Sequence, residues 1–127
     1  MAVKADGVHL GQDDMPIKEA RRIVGNKMII GISTHNLSQA KKAQDHGADY
    51  IGFGPMFQTL TKNAGRPKGL RSLKNICSKI AIPVVAIGGI TCENISDVLN
   101  AGANGCAIIS AIQFGDIKAN IKRLLSC

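Results

Sequence analysis

The chain has 127 residues, of which 45% are hydrophobic, 20% charged and 3% aromatic, with a formal net charge of +7. This length predicts a single domain over residues 1–127, and the composition is that of an ordinary globular protein. The charge favours anionic partners such as phosphates, but no stacking aromatics accompany the basic residues, which excludes nucleic acid as a partner. No apolar run approaches membrane-spanning length and the N-terminus lacks signal-peptide features, so we expect no membrane partner and a cytoplasmic location.

Short apolar runs alternate with longer amphipathic segments along the whole chain. In chain order, the predicted strands lie at residues 7–10, 27–32, 49–54, 82–87 and 105–110, and the predicted helices at residues 15–24, 37–46, 69–79, 92–101 and 117–125. Five β/α units in succession predict an α/β fold with a parallel sheet and covering helices. The continuously apolar strands are typical of strands buried on both faces. Gly47 and Gly102 follow two of the helices and predict left-handed helix ends.

Polar or glycine-rich segments follow all five predicted strands. They are GQDD from residue 11, STH from residue 33, GPMFQTLTK from residue 54, GG from residue 88, and the serine at residue 110. Functional residues of parallel α/β proteins gather at the carboxyl ends of the strands. We therefore expect these segments to meet at one mouth.

Two neighbouring strand ends predict a phosphate site. Gly88 and Gly89 form a turn at the predicted start of a helix, where backbone N–H groups and the helix N-terminus favour an anion. Ile109 and Ser110 would add an N–H group and a hydroxyl from the next strand. Two ordinary tight turns are the alternative interpretation, but the two turns together favour phosphate.

The longest predicted loop contains Thr59, Thr61 and Lys62. Two hydroxyls and an ammonium group suit a phosphate or pyrophosphate, and loops of this length often close over active sites. A solvated basic loop is the alternative, and the hydroxyls favour the phosphate site.

Asp13 and Asp14 follow the first predicted strand. Either carboxylate suits Mg²⁺, and either could instead cap the following helix, which Pro16 would open. From these local features alone both roles stay open.

Histidines and cysteines give weaker signals. His9 lies within a strand and is expected to be packed and hydrogen-bonded, whereas His35 lies near the mouth and is a candidate acid or base. The cysteines show no CxxC spacing and no histidine at metal-binding spacing, so free thiols are expected at all four positions, Cys77, Cys92, Cys106 and Cys127.

Five segments in order resemble the thiamine-phosphate synthase family. They are VHLGQDDMP, GISTHN, GADYIGFGPMF with the following threonines and lysine, PVVAIGGI and GANGCAIISAI. The resemblance implies a (β/α)8 TIM barrel, of which this chain would carry strands 4 to 8. It also implies a transferase of alkyl or aryl groups. Such an enzyme joins 4-amino-2-methyl-5-hydroxymethylpyrimidine diphosphate to thiazole phosphate and gives thiamine phosphate and pyrophosphate.

The family pattern assigns roles to three residues around the diphosphate. Asp14 would ligate Mg²⁺, and Ser33 and Lys62 would contact the pyrimidine diphosphate as the catalytic residues. A leaving diphosphate needs Mg²⁺ and a lysine to stabilise its growing charge, so these assignments agree with the chemistry.

The same pattern assigns the thiazole phosphate to a second group. Thr59 and Thr61 would hold this phosphate from the long loop, and Gly89, Ile109 and Ser110 would complete its pocket.

The sequence departs from the family in two respects. Gln58 stands where the family usually has a proline. A complete member also has three earlier strands, which carry basic residues for the diphosphate and a second carboxylate for Mg²⁺. Five strands cannot close an eight-stranded barrel, so we expect exposed edges and an inner face that lacks its other wall. We expect weak or no synthase activity from the isolated chain, and a need for a missing N-terminal half or a self-associated partner chain.

Two other functions are compatible with the pattern. The first is a thiazole tautomerase-like enzyme of the same barrel type, with His35 as the proton-transferring residue. The second is a non-catalytic phosphate-binding half-barrel. The threonines and lysine of the long loop favour the synthase over the tautomerase.

Overall fold

A computed structural model describes residues 4–59 and 65–127. Its elements in chain order are β1 (Gly7–Leu10), α1 (Ile17–Val24), β2 (Ile29–Thr34), α2 (Leu37–Asp45), β3 (Tyr50–Phe53), α3 (Gly69–Cys77), β4 (Val84–Ile87), α4 (Ile95–Asn100), β5 (Gly105–Ala107), α5 (Ser110–Gln113) and α6 (Ile117–Leu125). The predicted alternation of strands and helices is confirmed. The short helix α5 replaces the predicted end of the last strand. The longest helices of the described ranges have nine residues, and none of them is long and apolar enough to cross a membrane.

The five strands form one parallel sheet in the order β1-β2-β3-β4-β5. Each strand therefore pairs with its neighbour in sequence, as helical crossovers between parallel strands allow. Gly7 pairs with Ile29, and Gly31 pairs with Tyr50. Because all strands run in one direction, their carboxyl ends lie along the same edge, where sequence analysis places the functional residues.

The main core lies between one face of the sheet and the helices. Alternate strand residues point into it, as the two-residue period of a strand requires. Small alanines on α1 and α2 let the helix backbones approach the sheet. The buried side chains of this core include Ala20, Ile30, Ile32, Ala40, Ala43, Ile51, Phe53, Leu73, Ile76, Val84, Ala86 and Val98.

Local sequence signals set the ends of two helices. The Asn36 side chain accepts a hydrogen bond from the Gln39 N–H at 2.9 Å and caps the start of α2. Gly47 ends the same helix with a φ of 88°, and Gly102 follows α4 with a φ of 106°. The predicted left-handed glycines at both positions are confirmed.

The opposite face of the sheet is open in this chain. Ile29 is 49% exposed and Ile87 is 37% exposed, and His9 on the same face is also exposed. Apolar strands therefore do not mean burial on both faces here, and that part of the prediction is wrong. The expected exposure of one apolar face of the sheet is found.

Arg21 joins α1 to the amino ends of two strands. Its guanidinium donates hydrogen bonds to the Met28 carbonyl at 2.6 Å, the Gly47 carbonyl at 3.2 Å and the Asp49 carboxylate at 2.6 Å. The same Asp49 carboxylate accepts the Ile30 N–H at 2.7 Å. Burial raises the pKa of Asp49, but the Ile30 N–H and the Arg21 charge outweigh it, so the pKa lies below its ordinary value.

The cysteines differ from the prediction of four free thiols. Cys92 and Cys127 form a disulfide across a Cα–Cα distance of 5.6 Å, so the prediction is wrong for this pair. The two residues are 35 positions apart, and they meet only because α6 packs back beside the turn that precedes α4. Cys77 and Cys106 are free and half-buried, and burial raises the pKa of both thiols.

Candidate functional site

A pocket of about 170 Å³ lies at the carboxyl ends of β3, β4 and β5. Its lining includes His35, Thr59, Gly89, Ile109 and Ser110. Four of these five residues are the ones that the family pattern assigns to the thiazole phosphate. Residues that are up to 75 positions apart in sequence thus meet in one cavity (His35 to Ser110).

The Gly88–Gly89 turn allows the loop after β3 to approach the end of β4. Gly88 has a φ of 94° and Gly89 a φ of 67°, a conformation that residues with a side chain rarely adopt. A Cβ atom on Gly88 would lie 2.7 Å from Pro55 Cβ, and one on Gly89 would lie 2.6 Å from the Gln58 carbonyl oxygen. The Phe57 N–H also donates to the Gly88 carbonyl at 3.1 Å. Glycine is therefore needed at both positions for conformation and for space.

Asn94 holds this turn from the far side. Its side-chain oxygen accepts the Thr91 N–H at 2.9 Å, and its side-chain nitrogen donates to the Gly89 carbonyl at 3.0 Å. Helix α4 begins only at Ile95, so the prediction that the glycine turn opens a helix is wrong. Sequence analysis did not identify Asn94, although asparagine before an apolar segment is a common signal for a helix start.

Ser110 lies at the first position of α5 and not at the end of a strand. Strand β5 ends at Ala107, three residues earlier than its predicted end. Ser110 is half-buried and Ile109 is 56% exposed, and both line the pocket.

His35 is held at the rim of the pocket. Its Nδ1 atom lies 2.8 Å from the Gly54 carbonyl oxygen. A carbonyl only accepts hydrogen bonds, so Nδ1 carries the proton. The His35 backbone N–H donates to the Gln39 side-chain oxygen at 2.8 Å, which further fixes the residue. A role of His35 as acid or base stays a prediction.

Asp14 and Ser33 lie at the ends of β1 and β2. One Asp14 carboxylate oxygen accepts the Gly11 N–H at 2.6 Å, and α1 is preceded by Pro16 without a side-chain cap. The alternative that Asp14 caps α1 is therefore wrong. The Gln12 side chain donates to the Ser33 carbonyl at 2.6 Å and links the two strand ends. Neither Asp14 nor Ser33 lines the pocket at β3–β5.

The open face of the sheet brings His9 to Ser33 and Tyr50 to His9. His9 Nε2 lies 2.9 Å from Ser33 Oγ, and His9 Nδ1 lies 2.9 Å from Tyr50 Oη. The expected hydrogen bonding of His9 is found, but its expected packing is not, since the residue is exposed. Partial burial lowers the pKa of His9, which favours the neutral ring. The strand alternation places all three residues on one face, which is the signal that sequence analysis did not use.

Two predicted site residues and a metal remain without structural evidence. Thr61 and Lys62 lie outside the described residues. Within the described ranges, no group of three or more His, Cys, Asp or Glu side chains could hold a metal ion. Asp14 is an exposed carboxylate beside this edge of the sheet and stays the predicted Mg²⁺ ligand.

Fold and site define an α/β protein with a candidate ligand pocket at the carboxyl edge of a parallel sheet. The family model described as thiamine monophosphate synthase matches residues 1–112. The chain belongs to this family.

Curated relatives and a solved structure agree with the family. The chain is 54% identical over 117 residues to the thiamine-phosphate synthase of Chloroflexus aurantiacus, covering 91% of this chain and 54% of the relative. It is 48% identical over 125 residues to that of a Synechococcus strain, covering 98% of this chain and 35% of the relative. A thiamine phosphate pyrophosphorylase structure from Pyrococcus furiosus superposes with a TM-score of 0.88 at 43% identity, covering 96% of this chain and 58% of that one. The chain thus spans about half the length of the curated relatives it matches.

Proposed function

We propose that this chain contributes to a thiamine-phosphate synthase, and that its five strands correspond to strands 4 to 8 of an eight-stranded barrel. One observation carries the proposal. The described residues that the family pattern assigns to the thiazole phosphate, namely Thr59, Gly89, Ile109 and Ser110, line one pocket. The substrates would be phosphorylated small molecules, which suits the net charge of +7.

The reaction forms one bond and breaks one. The ring nitrogen of thiazole phosphate attacks the methylene carbon of the pyrimidine diphosphate, and the carbon–oxygen bond to pyrophosphate breaks with its electron pair on the leaving group. The pocket at β3–β5 would hold the thiazole phosphate, and Ser33 at the end of β2 would contact the diphosphate. When both substrates are held at one edge of the sheet, their reacting atoms no longer have to meet by diffusion, which lowers the entropic part of the barrier.

The carboxylate at the end of β1 fits a hard cation whose other ligands come mainly from the bound diphosphate. Asp14 offers one carboxylate whose position is fixed by the Gly11 N–H. Mg²⁺ commonly uses one or two carboxylates together with phosphate oxygens and water. When bound, it would neutralise negative charge on the departing pyrophosphate. Lys62 would contribute a second positive charge from the long loop.

The open face of the sheet supports the need for further structure. Its exposed apolar residues, such as Ile29 and Ile87, would be covered in a closed barrel. We therefore expect three additional β/α units, or a partner chain, to complete the diphosphate site. We place the activity in the cytoplasm.

A complementation assay tests the proposed function. The 127-residue chain would be incubated with both substrates and Mg²⁺, alone and together with the segment of the Chloroflexus relative that lies outside the aligned region. We expect thiamine phosphate at a readily measured rate only in the complemented mixture. Ser110→Ala should reduce this rate, whereas Ser126→Ala on the far end of α6 should not. Binding of phosphate without turnover in any mixture would instead indicate a non-catalytic module.

A further inference from the structure

A chain of hydrogen bonds crosses three strands on the open face of the sheet. Tyr50 on β3 contacts His9 on β1, and His9 in turn contacts Ser33 on β2. The two ring centroids lie 5.5 Å apart with a tilt of 36° between the planes. Only Ser33 of these three is assigned a role by the family pattern, so the other two need their own explanation.

Two glycines make room for the two rings. A Cβ atom on Gly31 would collide with the Tyr50 ring, and one on Gly52 would lie 3.3 Å from His9 Cε1. The ring of Tyr50 therefore lies over Gly31, where it can reach the strand beyond its neighbour. The glycines allow each ring to adopt the position in which its polar atom finds a partner.

Hydrogen-bond chemistry selects one proton arrangement. A phenol hydroxyl is a good hydrogen-bond donor, whereas its oxygen is a weaker acceptor than an imidazole nitrogen. Tyr50 therefore donates to His9 Nδ1, which leaves the proton of the neutral ring on Nε2. The bond at one ring nitrogen thus fixes the tautomer at the other. His9 Nε2–H then donates to Ser33 Oγ.

This arrangement determines what Ser33 can offer to a ligand. A serine hydroxyl has one hydrogen to donate. With His9 as donor, that hydrogen stays free to point at a ligand, whereas with His9 as acceptor it would be used within the protein. Diphosphate oxygens only accept hydrogen bonds, so the first arrangement suits them and the second does not.

We propose that His9, fixed by Tyr50, is a positioning residue that holds Ser33 as a hydrogen-bond donor to the diphosphate. That the ligand of Ser33 is a diphosphate rests on the proposed function, whereas the positions of the protons on Tyr50, His9 and Ser33 do not depend on it. Tyr50 acts only through His9, so its contribution should vanish when Ser33 is removed.

The first test is independent of any ligand. Long-range proton–nitrogen NMR on the complete 127-residue chain reports the tautomer of each histidine. We expect His9 as the Nε2–H form, with His35 as an internal reference that carries its proton on Nδ1. Tyr50→Phe should shift His9 towards the Nδ1–H form and leave His35 unchanged, and Ser33→Ala should leave the His9 tautomer in place. A His9 that carries its proton on Nδ1, or that does not respond to Tyr50→Phe, overturns the inference.

The second test couples the network to the ligand. Inorganic pyrophosphate with Mg²⁺ would be titrated into the wild type, Tyr50→Phe, Ser33→Ala and the double variant, each complemented with the same relative's segment as in the activity assay. We expect Tyr50→Phe to weaken binding about threefold to tenfold, the range of one hydrogen bond, and to have no further effect in the Ser33→Ala background. An equal effect of Tyr50→Phe in both backgrounds overturns the positioning role and leaves the proposed function intact. Absence of pyrophosphate binding in every protein, with the expected tautomer, contradicts the proposed diphosphate site and therefore this role of Ser33.

Discussion

Gly89→Ala should destabilise the protein more than an ordinary left-handed glycine replacement would. Two separate effects add at this position. The φ of 67° imposes about 1–2 kcal/mol on a residue with a Cβ atom. The new Cβ would also lie 2.6 Å from the Gln58 carbonyl oxygen and 2.9 Å from Phe57 Cβ, and overlap of this kind adds about 1–3 kcal/mol.

Gly47→Ala is the matched control for this prediction. Gly47 has a φ of 88°, but a Cβ atom there would have no heavy atom within 4 Å. It therefore reports the conformational penalty alone, about 1–2 kcal/mol. Both variants reduce the entropy of the unfolded chain equally, so that contribution cancels in the comparison.

Urea unfolding followed by circular dichroism measures both free energies of unfolding. We expect Gly89→Ala to lose about 1–3 kcal/mol more than Gly47→Ala, with unchanged dependence on urea concentration. Equal losses in the two variants would show that the loop after β3 does not press against the glycine turn.

Three further predictions concern the support of the fold. Arg21→Lys should lower the free energy of unfolding by about 1–2 kcal/mol, because an ammonium group cannot contact the carbonyls and the carboxylate at the same time as the guanidinium does. Arg22→Lys changes an exposed arginine of the same helix and should be neutral in the same urea titration. Leu73→Ala should lower the free energy of unfolding by about 2–5 kcal/mol, because the side chain is fully buried, and a smaller loss in the same urea titration would mean that α3 packs loosely. The pKa of Asp49 is depressed in the folded protein, so the stabilisation that its carboxylate provides is present above the unfolded-state pKa and is lost as the pH falls through the folded-state pKa. Asp49→Asn should therefore reduce the loss of stability on acidification, measured as the free energy of unfolding against pH. An unchanged pH dependence would contradict the role of Asp49.

Much of the fold follows from local sequence patterns. The apolar runs and the glycines after helices predict the five β/α units, because a strand period and a left-handed helix end are encoded in a few neighbouring residues. Element ends are less certain. The last strand stops at Ala107 because the chain turns into α5, and nothing in the apolar run Ile108–Ile109 distinguishes a strand from a turn.

Some parts of the candidate site are also encoded locally in the sequence, and others are not. The Gly88–Gly89 turn and Ser110 can be located from sequence, because polar residues after parallel strands converge by topology. The contacts of His9 with Ser33 and Tyr50 could not, since they depend on the register that places Gly31 opposite Tyr50. The pairing of Cys92 with Cys127 likewise depends on tertiary structure, because it requires the packing of α6.

We propose that strand ends distant in sequence form one site for a phosphorylated compound. Titration of the isotope-labelled chain with thiazole phosphate, followed by backbone amide NMR, tests whether they do. We predict saturable shifts concentrated at Thr59, Gly89 and Ser110, which Gly89→Ala abolishes. Shifts that instead concentrate at Lys18 and Lys42 in the groove between α1 and α2, with none at the strand ends, would show that the phosphorylated compound binds elsewhere.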